Sequence, residues 1–186
     1  MVAERNGIPL IDDYIVRIEI PSSYPLSLPE VYEESDAIPS MYEHFYQDKR
    51  LCLGVQYELF NKLNKSNNSF RYFFDEFVLG YFYSVSYFKK YGCLPFGERA
   101  HGLKGIIEYY KELFSVDTIQ QIVMILKTIY FGKYRGHHDC PCGSQNKGRK
   151  CHGNQILYLI KTERKKILGS DLYDIIEYEK RLNDER

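Results

Sequence analysis

His44-Phe45-Tyr46-Gln47-Asp48-Lys49-Arg50-Leu51-Cys52-Leu53-Gly54 is the stretch on which the fold turns. A thiol between two leucines, followed at once by glycine, can sit where its backbone lies open to a ligand. His44 lies eight residues upstream on the same connection. Ahead of it run Tyr14-Ile15-Val16-Arg17-Ile18-Glu19-Ile20-Pro21 and Tyr24-Pro25-Leu26-Ser27-Leu28-Pro29-Glu30-Val31. In the first, Val16, Ile18 and Ile20 share one face and Arg17 and Glu19 the other, which predicts a half-buried strand. Pro21, Pro25 and Pro29 space out a shorter extended piece ending near Tyr32. Proline is tolerated at strand ends and edges, so this piece belongs at the sheet margin. Glu33 to Ser40 reads as a loop, and residues 41 to 54 as an irregular connection carrying the thiol.

Downstream, Asn61 to Ser69 reads as a polar loop with Ser69 as a helix N-cap. Phe70, Phe73, Phe74, Phe77, Val78, Tyr81 and Phe82 recur at helical spacing, and this aromatic stripe is read as core. The helix should stop at Tyr91-Gly92, where glycine permits a left-handed cap. Gly92 to Gly105 is a loop rich in ionisable groups, Glu98 and His101 among them. Ile106 to Phe114 predicts a short helix. A further helix is expected from near Ser115, with Ile119, Ile122, Val123, Leu126, Ile129 and Tyr130 on one face. Gly132 to His138 is a basic linker, and Asn154 and Ser170 are expected N-caps of two terminal helices.

Composition limits the class of protein. A hydrophobic share of 44% and an aromatic share of 16% over 186 residues exclude general disorder. Eighteen tyrosines without a tryptophan point to half-buried aromatic faces with polar tips. No apolar run approaches the roughly 20 residues of a membrane span, and a cytoplasmic protein without a membrane partner is expected. Net charge is zero, but Met1 to Glu58 holds eleven acidic and four basic side chains, and Lys133 to Lys166 nine basic and two acidic. Each end can steer a different partner or be an ordinary solvated face.

The segments around Cys52 resemble the centre of a ubiquitin-conjugating enzyme. In that family a strand runs into a Tyr-Pro…Pro-x-Val segment, and a His-led loop precedes the catalytic cysteine in a Leu-Cys-Leu setting. The resemblance spans roughly residues 10 to 90. It implies an α+β fold, an antiparallel meander with covering helices, and a thioester on Cys52. The family's loop carries His-Pro-Asn. His44 matches the histidine, Phe45 and Tyr46 replace the other two, and no residue takes over the asparagine's role. The family's N-terminal helix and first strand are absent or cut short. Gly92 to Gly102, running into Gly105 to Tyr110, is similar to a bacterial branch found beside cGAS-like nucleotidyltransferases in antiphage operons. That resemblance implies a nucleotidyltransferase C-terminus, or another ubiquitin-like tail, as the acyl group and a protein amine as acceptor.

On residues alone, Cys52 has two readings. It can be a nucleophile whose thioester amines resolve, with His44 and His101 as candidate helpers, or a small buried hydrophobe. A cysteine protease would need His44 or His101 as its base, and no protease signature surrounds Cys52. A third reading is a non-catalytic binding module that recruits a partner protein.

Cys140-Pro-Cys142-Gly-Ser-Gln-Asn-Lys-Gly-Arg-Lys-Cys151-His152 places four soft or borderline ligands within thirteen residues. Such a set suits tetrahedral zinc, and four protein ligands leave no open position, so the site is expected to be structural. The run closely resembles the SEC-C zinc motif. His137 and His138 are spare ligand candidates. The expected domains are a ubiquitin-conjugating-enzyme-like domain over 1–131 and a zinc segment with terminal helices over 132–186. Nucleic acid is the least supported partner, because no aromatic residues interleave with the basic ones.

Overall fold

The alternation of Val16 to Glu19 organises the first half of the chain in the computed structural model, which describes residues 1–5, 7–42, 44–95, 102–161 and 165–184. The protein is α+β, with two small antiparallel sheets and a majority of helix. It divides into two compact units, Met1–Arg99 and Ala100–Arg186.

In the first unit, β1 (Val2–Arg5) and β2 (Ile8–Ile11) form a hairpin around Gly7, whose φ of 75° suits the turn. β3 (Val16–Glu19) pairs with β4 (Glu30–Glu33), Ile18 opposite Val31. Val16 and Ile18 pack on the core while Arg17 and Glu19 face out, as the alternation predicts. Ile20 does not follow them: it lies beyond the strand and is 55% exposed.

The connection expected to be irregular is a tight hairpin. Phe45 bridges Leu51, the Tyr46 N–H donates to the Arg50 carbonyl at 2.8 Å, and the Cys52 N–H donates to the His44 carbonyl at 2.9 Å. Its second arm lies beside β4, with the Leu51 N–H donating to the Val31 carbonyl at 2.8 Å and the Glu33 N–H to the Lys49 carbonyl at 3.1 Å. The arm carrying Cys52 therefore runs between β4 and the arm carrying His44.

α1 (Gln56–Lys65) follows Cys52 closely and buries Tyr57, Leu59, Phe60 and Leu63. It takes in Asn61 to Lys65, which had been read as loop. The chain then turns through Asn67 and Asn68, both at positive φ. Ser69 caps the next helix by accepting the Tyr72 N–H. That helix runs as α2 (Phe70–Tyr72), a π-helical stretch (Phe73–Val78) and α3 (Leu79–Tyr91), and stops at Gly92 with φ 72°. Phe73, Phe77, Val78, Tyr81, Phe82 and Val85 join Val31, Leu51 and Leu63 in one core. Burying each such side chain contributes about 1.5–3 kcal/mol.

The second unit is helical. α5 (Ile119–Phe131) packs against α4 (Gly102–Phe114), α6 (Gly153–Lys161) and α7 (Lys165–Asp184). Thr118 starts α5 in a reciprocal capping box with Gln121. The start expected near Ser115 is thus displaced to Thr118. Neither Asn154 nor Ser170 is a cap, since α6 begins at Gly153 and α7 runs unbroken from Lys165 through Ser170. The compact units part at 99/100, earlier than the expected 131/132, because α4 and α5 pack with the C-terminal helices. Among the described residues, no helix is long and apolar enough to cross a membrane.

Candidate functional site

Side chains alternate across an extended hairpin, so His44, Tyr46, Arg50 and Cys52 project from one face and Phe45 and Leu51 from the other. Leu51, only 5% exposed, anchors the second face in the core. On the first face the Cys52 thiol is half-buried, and the Tyr46 hydroxyl lies 3.8 Å from its Sγ. His44 stands across the hairpin from Cys52. Its carbonyl accepts both the Cys52 N–H, at 2.9 Å, and the Tyr81 hydroxyl, at 2.9 Å. Its ring lies 5.3 Å from that of Tyr42.

The turn is fixed by its own backbone and by charge. Lys49 occupies the left-handed region at φ 65°, and Asp48 Oδ1 accepts the Arg50 N–H at 3.1 Å. The Arg50 guanidinium lies over the Tyr46 ring, 4.7 Å from its centroid, and is held by Glu30 at 2.7 Å. Burial, followed by the charge and hydrogen bond of Cys52, raises the Tyr46 hydroxyl above the usual phenol range, with Arg50 opposing. Burial likewise raises Tyr42 and Tyr81, so the groups around the sulfur are protonated phenols. The arrangement offers a sulfur nucleophile with a hydroxyl donor beside it.

The second cluster lies in the other unit. Asp139 bridges Lys147, the Cys140 N–H donates to the Asn146 carbonyl, and Gly143 turns at φ 78°. This small hairpin brings Cys140 and Cys142 towards Cys151 and His152 at the start of α6. The four ligand atoms all lie within 4.8 Å of one another. His152 Nδ1 is 3.3 Å from Cys140 Sγ and 3.1 Å from Cys151 Sγ, and Cys142 Sγ is 3.7 Å from Cys151 Sγ. Metal–ligand bonds of about 2.3 Å to sulfur and about 2.1 Å to nitrogen put tetrahedral neighbours roughly 3.6–3.8 Å apart. The Cys142–Cys151 pair meets that spacing and the two His152 distances lie inside it, so the four residues could hold such an ion.

The surroundings favour the same use. His152 Nε2 is 2.7 Å from the Phe114 carbonyl, which can only accept, so Nε2 carries the proton and Nδ1 is left free to ligate. Gln121 Nε2 donates to the Cys142 carbonyl at 3.0 Å. Burial raises Cys140 to about 11. Burial also opposes ionisation of Cys142, but hydrogen bonds from Ser144, then from the neighbouring thiols, lower it to about 6.

Of the expected residues, Cys52 and His44 meet across one hairpin, and Cys140, Cys142, Cys151 and His152 converge. His101, with Phe96 to Ala100, lies outside the described residues. His137 and His138 pack edge to face at 4.5 Å, and neither joins the four ligands. Tyr46 and Arg50 were not picked out as site residues; their spacing of two residues from His44 and from Cys52 respectively marks the shared face only once the hairpin is known. No family model, no curated protein and no solved structure matches this chain.

Proposed function

We propose that the chain is a ubiquitin-conjugating-like transferase that carries a protein's C-terminus as a thioester on Cys52 and passes it to a target amine. The observation that carries this reading is the half-buried Cys52 thiol on a core-anchored hairpin, with the Tyr46 hydroxyl 3.8 Å away. A fully buried sulfur could not hold a protein tail, and a rigid arm keeps the acyl carbon in one place. Thiolate attack forms the thioester, and an amine resolves it because thiolate is a good leaving group. The order of Tyr-Pro, His44 and Cys52, on a strand pair followed by helices, supports the conjugating-enzyme likeness. By that likeness the acyl group is the C-terminus of a cGAS-like nucleotidyltransferase.

The test is a non-reducing gel of the full chain co-expressed with such a nucleotidyltransferase. Wild type should show an adduct that reductant removes and Cys52→Ala lacks. An intact complex without any adduct would favour the binding module instead.

We infer that the ion held by Cys140, Cys142, Cys151 and His152 is zinc, bound structurally. Three thiolates and an imidazole within 4.8 Å of one another make a soft, closed, four-coordinate set. Metal analysis of the purified chain tests it, one zinc per chain being the expected content.

A further inference from the structure

The Cys52 N–H is already committed to the His44 carbonyl at 2.9 Å. That amide is therefore not the donor to an acyl oxygen on the sulfur, and a side chain on the same face can take the part. Tyr46 is placed for it, with its hydroxyl 3.8 Å from Sγ on the same face of the hairpin. Its ring is clamped. The turn fixes its main chain through the Arg50 carbonyl at 2.8 Å, and the Arg50 guanidinium covers the ring at 4.7 Å. Glu30, 2.7 Å from Arg50, holds the clamp in turn. Tyr46 is nonetheless 48% exposed, so its hydroxyl lies where an acyl group entering from solvent would sit.

We propose that Tyr46 is a catalytic residue, the hydrogen-bond donor to the oxyanion formed when an amine attacks an acyl group on Cys52. The inference rests on the thioester reading of Cys52. In the step, the amine nitrogen bonds to the thioester carbon and the carbonyl π pair moves onto oxygen. The Tyr46 O–H donates to that oxygen without giving up its proton. When the carbonyl re-forms, the C–Sγ bond breaks and its electron pair leaves on sulfur. The proton shed by nitrogen passes through water to the departing thiolate, leaving an amide and a free Cys52 thiol. A donor 3.8 Å from Sγ can reach an oxygen on the carbon bonded to that sulfur, within the roughly 2.7–3.1 Å such donors require. Burial and the neighbouring sulfur keep the hydroxyl protonated at neutral pH, and the Arg50 charge polarises it.

The experiment loads the full chain with a short glycine-ended peptide activated as its mercaptoethanesulfonate thioester. Intact mass scores loading first, and discharge to free lysine is then timed. Alkylation of Cys52 by iodoacetamide, which passes through no oxyanion, is timed in parallel. Tyr46→Phe keeps the ring and the Arg50 contact. It is expected to load, to alkylate close to the wild-type rate, and to discharge about 100-fold more slowly, as loss of one oxyanion donor does. Wild-type discharge by Tyr46→Phe would overturn the proposal. So would equal slowing of alkylation and discharge, which would place the hydroxyl's effect on the thiolate. If wild type takes up no peptide, the thioester reading fails at the loading step and this inference falls with it.

Discussion

His152 Nε2 and the Phe114 carbonyl, 2.7 Å apart, tie the cysteine cluster to the last residue of α4. Together with the bond from Gln121 Nε2 to the Cys142 carbonyl, at 3.0 Å, this makes the knuckle part of the helical packing of its unit. Metal binding should therefore stabilise the helices as well as the loop. Cys142→Ser is expected to cut bound metal from one ion per chain to near zero and to lower the unfolding temperature of the second unit. Strong chelators should do the same to wild type. Unchanged metal content in the variant would contradict the ligand assignment.

Gly153 is a steric requirement. A Cβ there would lie 2.1 Å from the Tyr134 hydroxyl and 2.7 Å from the Gly148 carbonyl. Gly153→Ala is expected to cost about 1–3 kcal/mol in denaturant unfolding, as overpacking does. Adding Tyr134→Phe should recover only part of this, because the Gly148 backbone cannot withdraw as a side chain can. Full recovery would show that the hydroxyl alone sets the limit.

Asp171 is 8% exposed, and its carboxylate accepts the Tyr110 hydroxyl at 2.7 Å. Burial, opposed by that bond and reinforced by Asp174, raises it from 3.8 to about 6. The folded state thus prefers the protonated acid. Its contribution is full below 3.8 and is lost as pH rises through about 6, a change of about 3 kcal/mol. Asp171→Asn keeps an acceptor for Tyr110 and cannot ionise. Relative to wild type it should gain stability as pH rises from 3.8 through about 6 and keep that gain at higher pH, and the difference between the two proteins cancels other titrations. Parallel pH curves would contradict the assignment.

Asp12 behaves in the opposite sense. Burial opposes its charge, but Lys89 at 2.6 Å, Tyr14 at 2.8 Å and the Asp13 N–H at 3.0 Å outweigh it and lower it from 3.8 to about 2. Its contribution is present above 3.8 and disappears as pH falls through about 2. Asp12→Asn is expected to cost about 2 kcal/mol at neutral pH, read from urea unfolding of the first unit.

What could be read from the sequence was local. Val16 to Glu19 alternates with a period of two, Ser69 and Gly92 bracket a helix by their own chemistry, and the four metal ligands sit within thirteen residues. What could not be read depends on partners distant in sequence. Asn61 to Lys65 is polar enough for a loop, yet Leu59, Phe60 and Leu63 bury one side of it and draw it into α1. The hairpin of 44–52 hides its alternation because a turn through a left-handed Lys49 separates the two arms. Ser170 has the chemistry of a cap, but α7 is held through it by buried Leu168, Leu172 and Ile175.

The acyl-carrier account is tested most directly by trapping on Cys52→Ser. An oxyester resists reduction, so the variant should retain its adduct in reductant, and mass spectrometry of its proteolytic fragments should place the added C-terminal peptide on residue 52. An adduct mapped to another residue, or a serine variant that stays unmodified while wild type carries a reductant-sensitive mass on Cys93, would contradict the account.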